Sequence, residues 1–294
     1  MNAERADLPR AVIVISSHVA RGSVGNRAAV FALETLGFPV WAVPTVMLPW
    51  HPGHGPATRM VPAPAEFAAF MRDLERAPWL AEVGAVLSGY LGDAGQAGAV
   101  ASLVAAVRAK NPGALYLCDP VMGDAGGLYV PRETAEAMRD QLMPIADIAT
   151  PNRYELQWLT GAAVADMGSV MAAALAAGPG TMLVTSSPAL MAGSTGNLLL
   201  SGGQALLAEH RLIDCPPQGL GDLTAAVFLA RLLEGQPMAK ALQTATASVF
   251  EILARTAKRG ADELTLETDA ASLSHPMAMV QLRHLLHPGR DRRA

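Results

Sequence analysis

The sequence predicts an α/β fold, a three-layer sandwich with a mostly parallel central sheet and helices on both faces. Three observations carry this. Short β-branched runs alternate with longer stretches of helical periodicity through most of the 294 residues, the trace that strand–helix–strand crossovers leave in a chain. Several runs are apolar at nearly every position, as strands buried on both faces are. Hydrophobic residues make up 51% of the chain and charged residues 16%, enough apolar material for a large core and too much for a disordered protein.

Residues 11–15 (AVIVI) read as the first strand, ending at Ser16-Ser17. Residues 25–36 have helical spacing and stop at Gly37, a common C-terminal breaker. Residues 40–46 are strand-like, and 83–87, 114–118, 145–150 and 181–185 continue the series. Helical stretches lie between them, near 65–77, 94–110, 132–142 and 166–177. Across 195–213 two strand-like runs flank Ser201-Gly202-Gly203, a hairpin that adds antiparallel strands at one side of the sheet. Two long helices follow, near 221–234 and 238–256. There is no internal repeat or linker, so residues 1–294 read as one domain with frayed ends at 1–9 and 287–294.

The net charge of −4 comes without a long basic run, which argues against nucleic acid or an anionic membrane as partner. The basic residues Arg290, Arg292 and Arg293 follow Pro288-Gly289 and read as a solvated tail. No uncharged apolar run reaches the ~20 residues that span a bilayer. Glu4, Arg5 and Asp7 stand where a signal peptide needs an apolar stretch. Two cysteines, Cys118 and Cys215, make no disulfide framework. The expectation is a cytoplasmic protein.

In open α/β sheets ligands bind beyond the carboxyl ends of the strands, and there the sequence is polar. The sharpest motif is Gly219-Leu220-Gly221-Asp222 at a helix start. Glycines permit close backbone approach, and the unpaired N–H groups of a helix N-terminus suit a phosphate. Asp222 is then a base for a hydroxyl proton, or simply a helix cap. Residues 118–124 (CDPVMGD) place Asp119 and Asp124 where they can orient a hydrated cation and nucleotide phosphates, or merely make Asx turns. Residues 150–155 (TPNRYE) combine Asn152 and Glu155 as a capping box, or as contacts to a magnesium shell. His51-Pro52-Gly53-His54 has metal-ligand spacing, but without further ligands it reads as a loop over a site. The chain lacks the Walker phosphate loop, the dinucleotide-binding glycine fingerprint and the nucleophile elbow.

In order, Ser17-His18-Val19 with residues 25–29 (GNRAA), residues 88–92 (SGYLG), 118–124, 150–155, 184–187 (VTSS) and 219–222 resemble the pyridoxal kinases of the ribokinase-like superfamily. The resemblance runs from about residue 11 to 285 and implies ATP-dependent phosphorylation of the 5′-hydroxymethyl group of pyridoxal, pyridoxine or pyridoxamine. It implies that Asp222 is the base, with Gly219, Leu220 and Gly221 offering N–H groups to the developing charge. Asp119, Thr150 and Thr185 would surround a monovalent cation, K⁺, and the ATP phosphates. Asp124 would sit by the phosphates, Asn152 and Glu155 would order Mg²⁺, and Ser186 would contact the nucleotide. Ser17 and Tyr90 would line the pyridine pocket, with His51 near it. The family implies a homodimer.

Two positions depart from the family pattern. Pro52 replaces a threonine that helps hold the ring, and Met47 replaces an amide. By that resemblance a threonine at position 52 would tighten pyridoxal binding. The change leaves open a kinase for another hydroxymethyl heterocycle, such as hydroxymethylpyrimidine. A non-catalytic vitamer or nucleotide binder is the third reading, against which stands the retention of Asp222 between its glycines.

Overall fold

The computed structural model describes residues 10–288. Both predicted frayed ends fall mostly outside that range, as do Arg290, Arg292 and Arg293. In chain order the elements are β1 (Ala11–Val19), α1 (Asn26–Thr35), β2 (Val40–Leu48), α2 (Pro64–Glu75), β3 (Val83–Ser88), α3 (Gln96–Lys110) and β4 (Leu115–Cys118). The two-residue strands β5 (Gly123–Asp124) and β6 (Gly127–Leu128) follow, then α4 (Arg132–Ala137), which runs into a π turn at Met138–Leu142. Next come β7 (Ile148–Ala149), α5 (Arg153–Thr160), α6 (Met167–Ala176), β8 (Thr181–Pro188), β9 (Ser194–Ser201) and β10 (Gln204–Arg211). The chain closes with α7 (Leu220–Leu233), α8 (Met238–Arg259), α9 (Ala271–Ser274) and β11 (Gln281–Leu285).

Nine strands form one sheet in the order β11-β10-β9-β8-β7-β4-β3-β1-β2. From β2 to β8 all pairings are parallel, and β9, β10 and β11 extend the sheet antiparallel. The alternation of β1 shows how the layers are filled. Ile13 and Ile15 pack on one face with Phe67 and Met71 of α2, Val100 and Leu103 of α3, and Leu156 of α5. Val12 and Val14 pack on the other with Ala28 and Leu33 of α1, Phe228 of α7 and Ile252 of α8. Two apolar faces on one strand are the reason that its sequence shows no polar alternation.

Several boundaries differ from the sequence expectation, each for a pairing reason. β1 does not stop at Ser16-Ser17: its register to β2 shifts between Ser16 and His18, and pairing resumes as His18–Met47 and Val19–Leu48. The irregularity re-aims Ser17 while both strands run on. β7 contributes only Ile148 and Ala149 of the predicted 145–150, because Met143–Ile145 closes a 3-10 turn. β11 has no counterpart among the strands that the sequence predicts. Its polar and apolar residues lie at the sheet edge, and Arg283 pairs with the buried Glu209 of β10. Cys118 is buried, and burial pushes its thiol up to about 12, so it behaves as a small apolar side chain. Among the described residues, no helix is long and apolar enough to cross a membrane.

Candidate active site

The motifs converge at the carboxyl ends of the parallel strands. α7 begins beside the turn after β1, and Gly219 is what allows this contact. It has φ 94°, and a Cβ there would lie 2.1 Å from the Ser23 carbonyl oxygen. Gly219 is the N-cap and Asp222 the third residue of the helix, so Asp222 is not the cap. Its carboxyl instead accepts the N–H of Gly25 and its own N–H. Gly25 (φ 55°) is equally constrained, since a Cβ on it would lie 2.3 Å from Ser17 Oγ. Buried Asn26 anchors this turn, its Nδ2 donating to the Ser16 carbonyl at 3.1 Å. Ser17, Gly25 and Asp222 thus meet, and Asp222 Oδ1 is 3.8 Å from where a Gly89 Cβ would be.

Burial pushes the Asp222 carboxyl up to about 6, against the pull of its two N–H donors. The side of Gly221 away from the helix is open: a Cβ there meets nothing within 4 Å. The helix's first internal bond is Leu223 N–H to the Gly219 carbonyl. The Leu220 and Gly221 N–H groups therefore have no helical acceptor.

The second cluster lies around Asp119 at the end of β4. Its Oδ1 accepts from Thr150 Oγ1 at 2.8 Å, whereas the buried Oδ2 has no hydrogen-bond partner among the described residues. Burial pushes this carboxyl well above the usual range, and Glu155 and Asp222 push it further. Asn152 and Glu155 form the capping box of α5. Glu155 Oε2 accepts from Asn152 N at 2.8 Å and Oε1 from Met122 N at 3.0 Å, while Asn152 Nδ2 donates to the Gly123 carbonyl at 2.8 Å. The pair therefore fixes the β4–β5 loop as well as the helix. Burial raises Glu155 to about 8. Asp124 is exposed at the tip of the β5–β6 hairpin, where Oδ1 takes the Gly126 N–H at 2.7 Å.

Thr185 and Ser186 occupy an irregularity in β8, whose pairing with β9 skips from Val184 to Ser187. Thr185 bonds instead to the Pro151 carbonyl at 3.0 Å and bridges to Asn152. Ser186 is exposed with φ 52°. Both line a cleft of about 340 Å³ together with Gly221, Leu220, Asn197 and His210, the last stacked on Phe250 at 4.7 Å between centroids.

On the other side of Asp222, Tyr90 N donates to Ser16 Oγ at 3.1 Å and its carbonyl accepts from Thr45 Oγ1 at 2.7 Å. Gln96 completes the brace, accepting from Gly92 N and donating to the Thr45 carbonyl. The Tyr90 ring lies parallel to that of Tyr129, 6.5 Å between centroids. Arg59 donates to the Tyr90 hydroxyl at 3.2 Å and to the Gly92 carbonyl at 2.8 Å. His51 caps the 3-10 turn Pro52–His54 by accepting the Gly53 N–H, and burial lowers its pKa. Pro52 itself is exposed.

Sequence reasoning had not singled out Thr45, Arg59, Gln96 or Tyr129 as site residues. Tyr129 is the most telling: half of the residue is exposed, but its hydroxyl is desolvated, which raises its pKa, and Glu155, Asp222, Asp119 and Asp124 push it further up. Among the described residues no three His, Cys, Asp or Glu side chains stand at metal-ligand spacing. A cation here would be held through carboxylate charge, water and phosphate oxygens, as magnesium in nucleotide sites is.

The family description "Phosphomethylpyrimidine kinase" matches residues 74–267. The chain is 40% identical over 281 residues to pyridoxal kinase PdxY of Rubrobacter xylanophilus, covering 93% of this chain and 97% of that protein. It is also 40% identical over 263 residues to pyridoxal kinase PdxY of Granulibacter bethesdensis, with coverage of 86% and 92%. The structure of pyridoxal kinase from Leishmania donovani in complex with ADP and pyridoxine superposes with a TM-score of 0.87 at 31% identity, covering 93% of this chain and 98% of the other. The chain has the ribokinase-like fold and belongs to the pyridoxal kinase family.

Proposed function

We infer that this protein transfers the γ-phosphoryl group of ATP to the 5′-hydroxymethyl group of pyridoxal, yielding pyridoxal 5′-phosphate and ADP, with pyridoxine and pyridoxamine as further acceptors. The observation that carries the reading is Asp222: a carboxyl raised to about 6, at the start of a helix, between a cleft lined by Thr185 and Ser186 and a pair of tyrosine rings. A base with this pKa is ionised at neutral pH yet retains enough proton affinity to draw the hydroxyl proton as the oxygen attacks.

Gly219, Leu220 and Gly221 present the helix N-terminus to the transferring group, where fixed N–H dipoles stabilise developing charge. The nucleotide occupies the 340 Å³ cleft against Ser186 and Thr185. The pyridine ring lies on the side of Ser17, Tyr90 and His51. Most of the rate comes from positioning and charge stabilisation, as in phosphoryl transfer generally.

Mg²⁺ and a monovalent cation, K⁺, fit the acidic cluster, because the buried Asp119 Oδ2 has no partner among the described residues and its neighbours are carboxyl groups. Asp119, Thr150 and Thr185 would hold K⁺ and Asp124 the phosphate end, while Asn152 and Glu155 would act on magnesium through water, since both Glu155 oxygens already accept backbone N–H groups. Bound there, the cations neutralise phosphate charge. The working form is a cytoplasmic homodimer.

Replacing Asp222 by Asn tests the assignment. Turnover should fall by ~10²–10⁴ with ATP binding retained. Near-wild-type turnover would return Asp222 to a structural role. Parallel assays with hydroxymethylpyrimidine should show little ADP release; turnover on it alone would keep the mechanism and move the substrate.

A further inference from the structure

Glu263 belongs to none of the motifs discussed above. It lies between α8 and α9, yet it touches two separate parts of the site's rim. Its Oε1 is 2.8 Å from His54 Nε2, and its Oε2 accepts the Ser23 N–H at 3.3 Å. Arg21 lies 3.5 Å away and also holds the neighbouring Asp262 through two bonds of 2.9 and 2.8 Å. The Arg21–Asp262 pair is more than half exposed on both sides and contributes little by itself. Glu263 differs, with its side chain only 13% exposed. Gly22 is packed so closely on it that a Cβ there would come within 2.6 Å of its Oε1.

The contacts lead in two directions. Towards the chemistry, Ser23 is held by Glu263 and by its own Oγ donating to the Leu264 carbonyl at 3.0 Å. The Ser23 carbonyl is the surface on which Gly219 rests, and two residues on, Gly25 donates to Asp222. Towards the substrate, His54 belongs to the flap that crosses residues 49–59, closed at its base by the paired Met47 and Met60. His51, Gly53 and His54 wall a cavity of about 220 Å³ against residues 215–218 and 261–262.

We propose that Glu263 is a positioning residue for the transfer reaction, one carboxylate that ties the seated flap to the turn supporting the anion-binding helix start and the base. This rests on the reading of Asp222 and the helix start given above. A flap held open would then weaken acceptor binding, and a slack Ser23 turn would misplace Gly219 and Asp222 relative to the phosphoryl group. Misplacement by ~1 Å is enough to cost about 10²-fold in rate.

The test is a double-mutant cycle on the full-length protein, reading kcat, KM for pyridoxal, KM for ATP and Tm. His54→Ala removes the flap's contact with Glu263, together with a longer 4.0 Å approach to the exposed Asp262, and should raise KM for pyridoxal by about tenfold, the scale of one charge-assisted hydrogen bond, with kcat little changed. Glu263→Ala should raise the same KM and also lower kcat by about 10- to 100-fold, with KM for ATP nearly constant. In the double mutant most of the His54 effect should vanish, because its 2.8 Å partner is gone and only the 4.0 Å approach to Asp262 remains. Additive effects, or a Glu263→Ala enzyme with wild-type kcat and KM, would overturn the proposal. If Glu263→Ala does not fold, Glu263→Gln carries the test: it keeps the shape and loses the charge, so an unchanged kcat and KM there would also overturn it. A wild-type enzyme inactive on pyridoxal would instead overturn the underlying function, which the first lane of the experiment reports separately.

Discussion

Asp222 is chemically poised at a cost that its own environment makes measurable. Its carboxyl is raised to about 6 by burial, so the ionised carboxylate is the form that folding disfavours. The sign follows from linkage: a raised folded-state pKa adds stability below the unfolded value, and that stability is lost as pH rises through about 6. Two results are expected. The acid limb of kcat/KM should fall below about pH 6 as the base takes up its proton, a profile read directly from steady-state rates. Asp222→Asn should melt at or above the wild-type Tm at pH 8, with the difference shrinking towards pH 4, while losing turnover. A variant less stable than wild type at pH 8 would mean that the N–H bonds from Gly25 and Asp222 outweigh the burial penalty.

At the scale of elements, the site is an assembly of strand ends and the turns behind them, and this explains what could be read in advance. Tyr90, Asp119 and Thr150 follow strands, and Ser17 and Thr185 sit at irregularities towards the carboxyl ends of β1 and β8, so the rule that ligands lie beyond carboxyl ends points to them. The capping box of Asn152 and Glu155 is local and legible too. Arg59, Gln96 and Tyr129 were not legible, because their partners are distant in sequence and their types are unremarkable there. His54 and Glu263 are 209 positions apart. The flap shows the same limit. Family resemblance implied that threonine in place of Pro52 would tighten pyridoxal binding, but Pro52 is exposed and its neighbours His51, Gly53 and His54 wall the adjoining cavity. Pro52→Thr is therefore expected to leave KM for pyridoxal within about twofold, the usual range for a surface change. A clear fall in KM would mean that the flap closes further over the ring when substrate is bound.

For the molecule as a whole, alternation of β-branched runs and helices was enough to predict a covered parallel sheet, and the hairpin at Ser201-Gly202-Gly203 was enough to predict its antiparallel side. The closing strand β11 was hidden because Leu282 and Leu285 alone give a weak pattern, and its anchor, Arg283 on Glu209, is a contact between distant residues. The other sheet edge, β2, carries Met47 with its side open to solvent, near exposed Trp50 and Met60. The proposed homodimer predicts a mass in solution of twice the 30.6 kDa chain, which light scattering on a size-exclusion column measures. A single-chain mass at micromolar protein would remove the dimer from the account.

The central strand β7 joins its neighbours by only two residue pairs on each side, Leu117–Ile148 and Cys118–Ala149 towards β4, then Ile148–Thr181 and Ala149–Met182 towards β8. Mechanically this is a narrow seam between two broad plates, and Asp119, Thr150 and Thr185 stand along it. Ser17 and Tyr90 belong to one plate, Ser186 and Asn197 to the other. What the strand pairing lacks here the covering layers supply, since the apolar packing runs unbroken past β7 from Val86 to Leu198 on one face and from Leu87 to Leu199 on the other.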